Sequence, residues 1–325
     1  MVSTLGLLLP VFALIALGAV AGKTGVLGET AARELSRFVI WLALPALLFT
    51  IMANSDWRSL WQPEFLLVYL LATFSLFVLV WSWRRRYSTL EAGMDALAAA
   101  YSNTGYIGFP LLFLVFGSVS EVPTALASMI VVAGLFALAV MLIESAIHHA
   151  LSWYQRLWSV SLGVLKNPLL VAPAAGAIFA ATDWSMPAPV SHFLSLLAAA
   201  ASPVALISLG LFLVQSHQRS AANVTPFWTI DIHLFSLVVG KLILLPLLVA
   251  ILAFWVIPLP PLWAWMAVIL AALPTGTGPY MLAEFYQADA RRVAQTILFS
   301  TLFSLLTLSV LLHWIPETLR APLQP

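Results

Sequence analysis

The chain has 325 residues, of which 62% are hydrophobic and 8% charged, with a formal net charge of +1 and a mean hydropathy of +1.02. This is the composition of an all-α polytopic membrane protein. The near-neutral balance carries no nucleic-acid signal, and the absence of cysteine excludes disulfides, thiolate metal sites and cysteine nucleophiles.

Apolar runs of about 20 residues, the length that crosses a bilayer, predict ten transmembrane spans: 3–22, 35–54, 63–83, 93–117, 122–146, 160–181, 190–214, 230–256, 261–286 and 290–314. No Lys or Arg precedes the first run and it is too long for a signal peptide, so it is expected to stay as a helix. The fourth run is broken by Ser102-Asn103-Thr104-Gly105-Tyr106-Ile107-Gly108-Phe109-Pro110, and the ninth by Pro274-Thr275-Gly276-Thr277-Gly278-Pro279. An unpaired backbone group in hydrocarbon costs several kcal/mol, so non-helical backbone at membrane depth survives only inside protein or beside a wet cavity. Broken segments at matching places in two halves therefore point to a transporter's substrate site.

With ten spans, alternate loops share a side. One side holds Lys23, Arg33, Arg37, Arg84 to Arg86, Arg156, Lys166, Arg219, Arg291 and Arg292, and the other only Arg58 and Arg320. The basic side is cytoplasmic by the positive-inside rule, which puts both termini outside. Trp57, Trp61, Trp81, Trp83, Trp184, Trp255, Trp263 and Trp314 fall at span ends, as an aromatic belt requires.

The halves, 1–150 and 151–325, look like copies. Leu44-Pro45-Ala46-Leu47-Leu48-Phe49 in span two is matched by Ser202-Pro203-Val204-Ala205-Leu206-Ile207 in span seven, and a broken span follows each at a similar distance. Five spans per copy is odd, so the second copy enters the membrane upside down, giving two inverted five-helix repeats with broken, crossing helices four and nine.

Phe38-Val39-Ile40-Trp41-Leu42-Ala43-Leu44-Pro45-Ala46-Leu47-Leu48-Phe49 and Asn103-Thr104-Gly105-Tyr106-Ile107-Gly108-Phe109-Pro110-Leu111-Leu112 resemble the auxin efflux carrier family, in particular its bacterial malate or malonate permease-like members. Further matches are Ser202 to Gly210, Lys241 with Pro246, and Leu282-Ala283-Glu284-Phe285-Tyr286. The resemblance implies a fold like that of the bile acid/sodium symporters, with spans 1, 2, 6 and 7 as a scaffold and spans 3–5 and 8–10 as a transport domain. It also implies elevator-like movement of organic anions, a homodimer formed through the scaffold, and the bacterial inner membrane as location. The second break carries Gly278-Pro279 where the resemblance leads one to expect a polar residue.

The residues of the breaks suit an anion. A half-helix resuming at the midplane points free N–H groups and about half a positive charge into the gap. Asn103, Thr104, Gly105, Tyr106, Thr275, Gly276, Thr277 and Gly278 are the expected substrate-binding residues, the glycines allowing close approach and the polar side chains orienting a carboxylate. Lys241 lies inside span eight, where a charge needs a partner; Asp95, Glu144 and Glu284 are the candidates, forming with it an expected coupling or charge network. Thr296, Ser300 and Ser304 form a stripe on span ten that either lines the route or packs against neighbouring helices. Arg84 to Arg86 read as a topology anchor. His148 and His149 are adjacent and point apart on a helix, so no metal site is expected, and no catalytic constellation or cofactor motif is present. Neither break contains the carboxylate that sodium would favour, so proton coupling or none is expected over sodium. The overall expectation is a carrier of a small carboxylate. The alternatives are a sodium-coupled symporter of the bile-acid type and a membrane sensor that does not transport.

Overall fold

The computed structural model describes residues 4–54, 61–86, 88–147, 168–182, 184–220, 231–286, 288 and 290–319. Trp57, Arg58, Arg156, Lys166, Arg320, His148, His149 and the 150/151 repeat boundary lie outside these, as do the side chains of Glu144 and Glu284. The described residues are helical, apart from loops and a single antiparallel bridge. The helices are α1 (Thr4–Thr24), α2 (Ala31–Ala53), α3 (Pro63–Arg84), α4 (Thr89–Ala100), α5 (Phe109–Phe116), α6 (residues 121–147), α7 (Pro168–Ala180), α8 (Ala188–Ser220), α9 (Ile232–Val256), α10 (Pro261–Ala272), α11 (Gly278–Phe285) and α12 (Ala290–Trp314). Among the described residues, six stretches are long and apolar enough to cross a membrane: α2, α3, the run Thr104–Ile143, α8 over Ala188–Gln215, α9 and α12. Leu9–Thr24, Val171–Ala180 and Pro261–Ala272 are shorter apolar helices.

Prolines shape these helices locally. A proline inside a helix has no N–H and its ring clashes with the carbonyl four residues back. At some prolines here the preceding turn widens to a π turn that takes up the clash. Val39–Ala43 precedes Pro45, Thr104–Gly108 precedes Pro110 and Gly240–Leu244 precedes Pro246, whereas Pro10, Pro173 and Pro203 sit in regular α-helix. Caps fix other ends. The Ser88 hydroxyl accepts from Glu91 N at the start of α4, and the Asp231 carboxylate accepts from Leu234 N at the start of α9.

Two groups of packed helices emerge. In the first, α1 runs along α8 and α2 packs between α7 and α8. The α1–α8 crossing brings backbone against backbone: a Cβ on Gly18 would collide with Ile207 O, and one on Gly210 with Ile15 O. Gly176 lets α7 approach the Phe49 carbonyl of α2 in the same way. In the second group α3 packs on α4, α4 on α6, and α9 on α10, with α12 against α4, α9, α10 and α11. Between α4 and α5, and again between α10 and α11, the chain is not α-helical, and these two interruptions meet inside the second group.

Candidate functional site

The two breaks satisfy each other's backbone. Ser102 and Thr275 form an antiparallel bridge in which Asn103 N donates to Pro274 O (2.9 Å) and Gly276 N donates to Tyr101 O (3.0 Å). Thr275 N donates to the Ser300 hydroxyl on α12 (3.0 Å), and the Thr275 hydroxyl donates to Ala98 O near the end of α4 (2.8 Å). The Lys241 ammonium donates to Ala271 O near the end of α10 (2.6 Å). Carbonyls left free where α4 and α10 stop thus gain donors from elsewhere, which unwound backbone at membrane depth requires.

Beside this crossing lies a cavity of about 70 Å³. At about 10–15 Å³ per water this is room for roughly five to seven waters, or a molecule of similar heavy-atom count. One wall is apolar and comes from the first helix group: Ile40, Leu44 and Leu48 of α2 with Leu169 of α7. The other is the crossing itself, Tyr101 to Tyr106, Thr277 and Gly278, with Phe109, and with Ser128 and Val132 of α6. Among the described residues, no Asp, Glu, Lys, Arg or His lines it.

The Asn103 side-chain oxygen accepts from Tyr106 N (3.3 Å), which orients the amide so that its nitrogen is the free end. That nitrogen is buried and makes no hydrogen bond among the described residues, whereas the buried hydroxyls of Ser102 and Tyr106 sit beside other hydroxyls. The Tyr106 hydroxyl faces Ser36 and Thr277, and Ser102 faces Tyr69. Buried polar groups without partners are rare and costly.

Of the residues singled out from the sequence, Asn103, Thr104, Gly105, Tyr106, Thr277 and Gly278 line the cavity. Thr275 is fully buried behind it with its hydroxyl on Ala98, and Gly276 contributes its N–H to the bridge. Asp95 stands with Arg84 instead of Lys241: Arg84 Nε lies 2.7 Å from Asp95 Oδ2, with Arg292 3.6 Å away on the other side. Arg84 also donates to His233 Nδ1 (3.1 Å), so this arginine, 5% exposed, ties α3, α4 and α9 together. Thr296, Ser300 and Ser304 are buried on α12 and bond carbonyls of their own helix; Ser300 also receives Thr275 N, and none of the three lines the cavity. Tyr101, Ser102 and Ser128 line it without having been singled out. Position next to Asn103 was the available signal for the first two, and Ser128 had none.

Paired broken helices around a small, donor-lined cavity place the protein among membrane transporters. The chain belongs to the family described as Membrane transport protein, the auxin efflux carrier family, which matches residues 3–151 and 152–312. It is 31% identical over 317 residues to a protein of Rhizobium meliloti named "Putative malonate transporter", covering 95% of both chains. An "Uncharacterized transporter" of Methanothermobacter thermautotrophicus is 29% identical over 313 residues, covering 92% of this chain and 94% of its own. Escherichia coli K12 has an "Uncharacterized transporter YfdV" 27% identical over 226 residues, covering 68% of this chain and 72% of its own.

Proposed function

We propose that the protein is a secondary transporter of a small carboxylate, held at the crossing of the two broken helices. The observation that carries this reading is a cavity whose described lining holds no ionised side chain beside three buried donors, Asn103 Nδ2, Ser102 Oγ and Tyr106 Oη, of which Asn103 Nδ2 has no partner among the described residues. Each can donate to a carboxylate oxygen, and hydrogen bonds to a charged partner are stronger than neutral ones. The start of α11 adds the helix dipole's positive end, and at the turn Thr104–Gly108 the N–H groups of Thr104, Tyr106, Ile107 and Gly108 are already bonded within the protein. Lining residues without a carboxylate disfavour a cation. Malonate is the first substrate to test, from the name of the Rhizobium relative. Nothing in this reading requires bond chemistry, so the protein is taken to be no enzyme.

The proposed architecture is ten transmembrane helices in two inverted repeats, α1–α6 over residues 1–150 and α7–α12 over 151–325. In it α1, α2, α7 and α8 form a scaffold that dimerises, and the other helices form a domain that moves. What supports an elevator-like movement is the cavity's place on the seam: its apolar wall belongs to the first helix group, its polar wall to the second. Sliding one group past the other would carry the polar wall, with bound substrate, from one side to the other. Lys241 and Ser300 hold the crossing rigid during that passage. The basic loops orient the protein with both termini periplasmic in the bacterial inner membrane, and a proton is the proposed coupling ion.

Uptake of radiolabelled malonate into proteoliposomes tests the proposal, with imposed proton or sodium gradients. Saturable uptake, accelerated by an inward proton gradient and indifferent to sodium, is expected. Uptake strictly dependent on sodium would overturn the coupling, and absence of uptake for malonate, lactate and succinate alike would overturn the substrate class.

A further inference from the structure

Tyr101 is held in place by its backbone on both sides. Its N–H donates to Leu97 O (2.8 Å) at the end of α4, and its carbonyl accepts from Gly276 N (3.0 Å) across the bridge. Its ring lies against the second break. A Cβ added to Gly276 would sit 2.9 Å from Tyr101 Cε1, and one added to Gly278 would sit 2.7 Å from Cζ and 2.8 Å from the hydroxyl oxygen. Neither glycine has the left-handed backbone that demands glycine, since the positive-φ glycines among the described residues are Gly25 and Gly117. Glycine at 276 and 278 therefore serves the ring: it clears the space that the tyrosine fills.

The same ring lines the cavity, whose remaining volume is about 70 Å³. We propose that Tyr101, seated on Gly276 and Gly278, is the residue that sets the size limit of the substrate. Opposite it the wall is Ile40, Leu44 and Leu48, apolar side chains that offer a longer acid's second carboxylate no partner. With the ring in place the site takes diacids of about three carbons, whose roughly seven heavy atoms match the count that such a volume holds. Removing the ring joins its volume to the cavity and admits longer chains. A side chain at 278 drives the ring toward the space the substrate needs.

This inference rests on the proposed carboxylate site for the class of ligand, but its test does not. Melting temperatures of the purified protein in detergent rise with any ligand that binds the native state. They are measured for the parent, Tyr101→Phe and Tyr101→Ala against malonate, succinate, glutarate and adipate, and against the neutral diamides of the same lengths. The parent is expected to bind malonate and not adipate, and Tyr101→Phe to keep that limit, because the ring and not the hydroxyl fills the space. Tyr101→Ala is expected to shift the adipate-to-malonate affinity ratio by at least about tenfold, the scale on which apolar pockets discriminate by length. Gly278→Ala is expected to weaken malonate binding about tenfold or more, and Gly278→Ala with Tyr101→Leu to recover it. A length limit unchanged in Tyr101→Ala overturns the proposal. If Tyr101→Ala does not fold, malonate binding unchanged in Gly278→Ala overturns it instead. Binding of diamides in place of acids overturns the carboxylate reading, while the movement of the length limit with residue 101 still decides the size claim. No binding of either series to the folded parent overturns both.

Discussion

Replacing Lys241 by methionine separates what this residue does for stability from what it does for movement. Its side chain is fully buried, and its one recorded hydrogen bond is to Ala271 O at 2.6 Å. That bond contributes on the order of 1–3 kcal/mol. Burying a cationic head group costs several kcal/mol, which a single carbonyl does not offset in full. Methionine is unbranched, of similar length, and fills the same channel without the desolvation cost. Lys241→Met is therefore expected to keep or raise thermal stability, by about 0–3 kcal/mol, while freeing the end of α10 beside the crossing. Transport should fall at least about tenfold, since a loss of about 1.4 kcal/mol in the preorganised crossing corresponds to that factor. The assay is a melting curve in detergent beside malonate uptake in proteoliposomes. A clear drop in melting temperature would refute the balance of terms, and uptake equal to the parent's would refute the role at the crossing.

Three further outcomes follow from the geometry. Asp95→Asn removes the carboxylate charge beside the buried Arg84 guanidinium and is expected to cost about 3–5 kcal/mol by thermal melting, with Arg84→Gln in the same chain recovering part of it; a neutral Asp95→Asn would contradict a buried ion pair. Gly210→Val forces α1 from α8 and is expected to cost about 1–3 kcal/mol or more, whereas Gly22→Ala meets only the flexible end of Leu211 and should cost under about 1 kcal/mol. Equal stability of these two variants would argue against backbone contact at the crossing. Ser300→Ala leaves Thr275 N without its acceptor and is expected to destabilise by about 1–3 kcal/mol, as read from the melt.

Apolar runs and proline placement made much of the helical outline legible. Pro45, Pro110 and Pro246 have effects local enough to be read from the residues alone, and the two glycine-rich interruptions stand out against continuous hydrocarbon-loving sequence. What was not legible depends on which distant atoms meet. The bridge between Ser102 and Thr275 joins segments separated by most of the chain, and no local rule sets its register. Lys241 sent the reading toward acids; among the described residues its hydrogen bond goes to the Ala271 carbonyl, a group every residue type carries, and the side chains of Glu144 and Glu284 lie outside those residues. Arg84 was grouped with Arg85 and Arg86 because they are adjacent and alike. Burial separates them: Arg84 turns inward to Asp95 across the short turn capped by Ser88, while Arg85 stays exposed and lies over the Trp81 ring. The hydroxyls of Thr296, Ser300 and Ser304 looked equivalent at helical spacing, yet only Ser300 serves the second break.

Equilibrium binding of radiolabelled malonate to the purified parent and to Asn103→Ala tests the central claim most directly. The Asn103 amide nitrogen is buried, oriented by Tyr106 N and without a partner until an acceptor arrives. Losing one hydrogen bond to a carboxylate should weaken binding by about 1.5–3 kcal/mol, more than tenfold in Kd. Saturable binding to the parent, weakened to that extent in a folded Asn103→Ala, is the predicted result. Equal affinity in the two proteins would contradict the placing of the anion at the helix crossing.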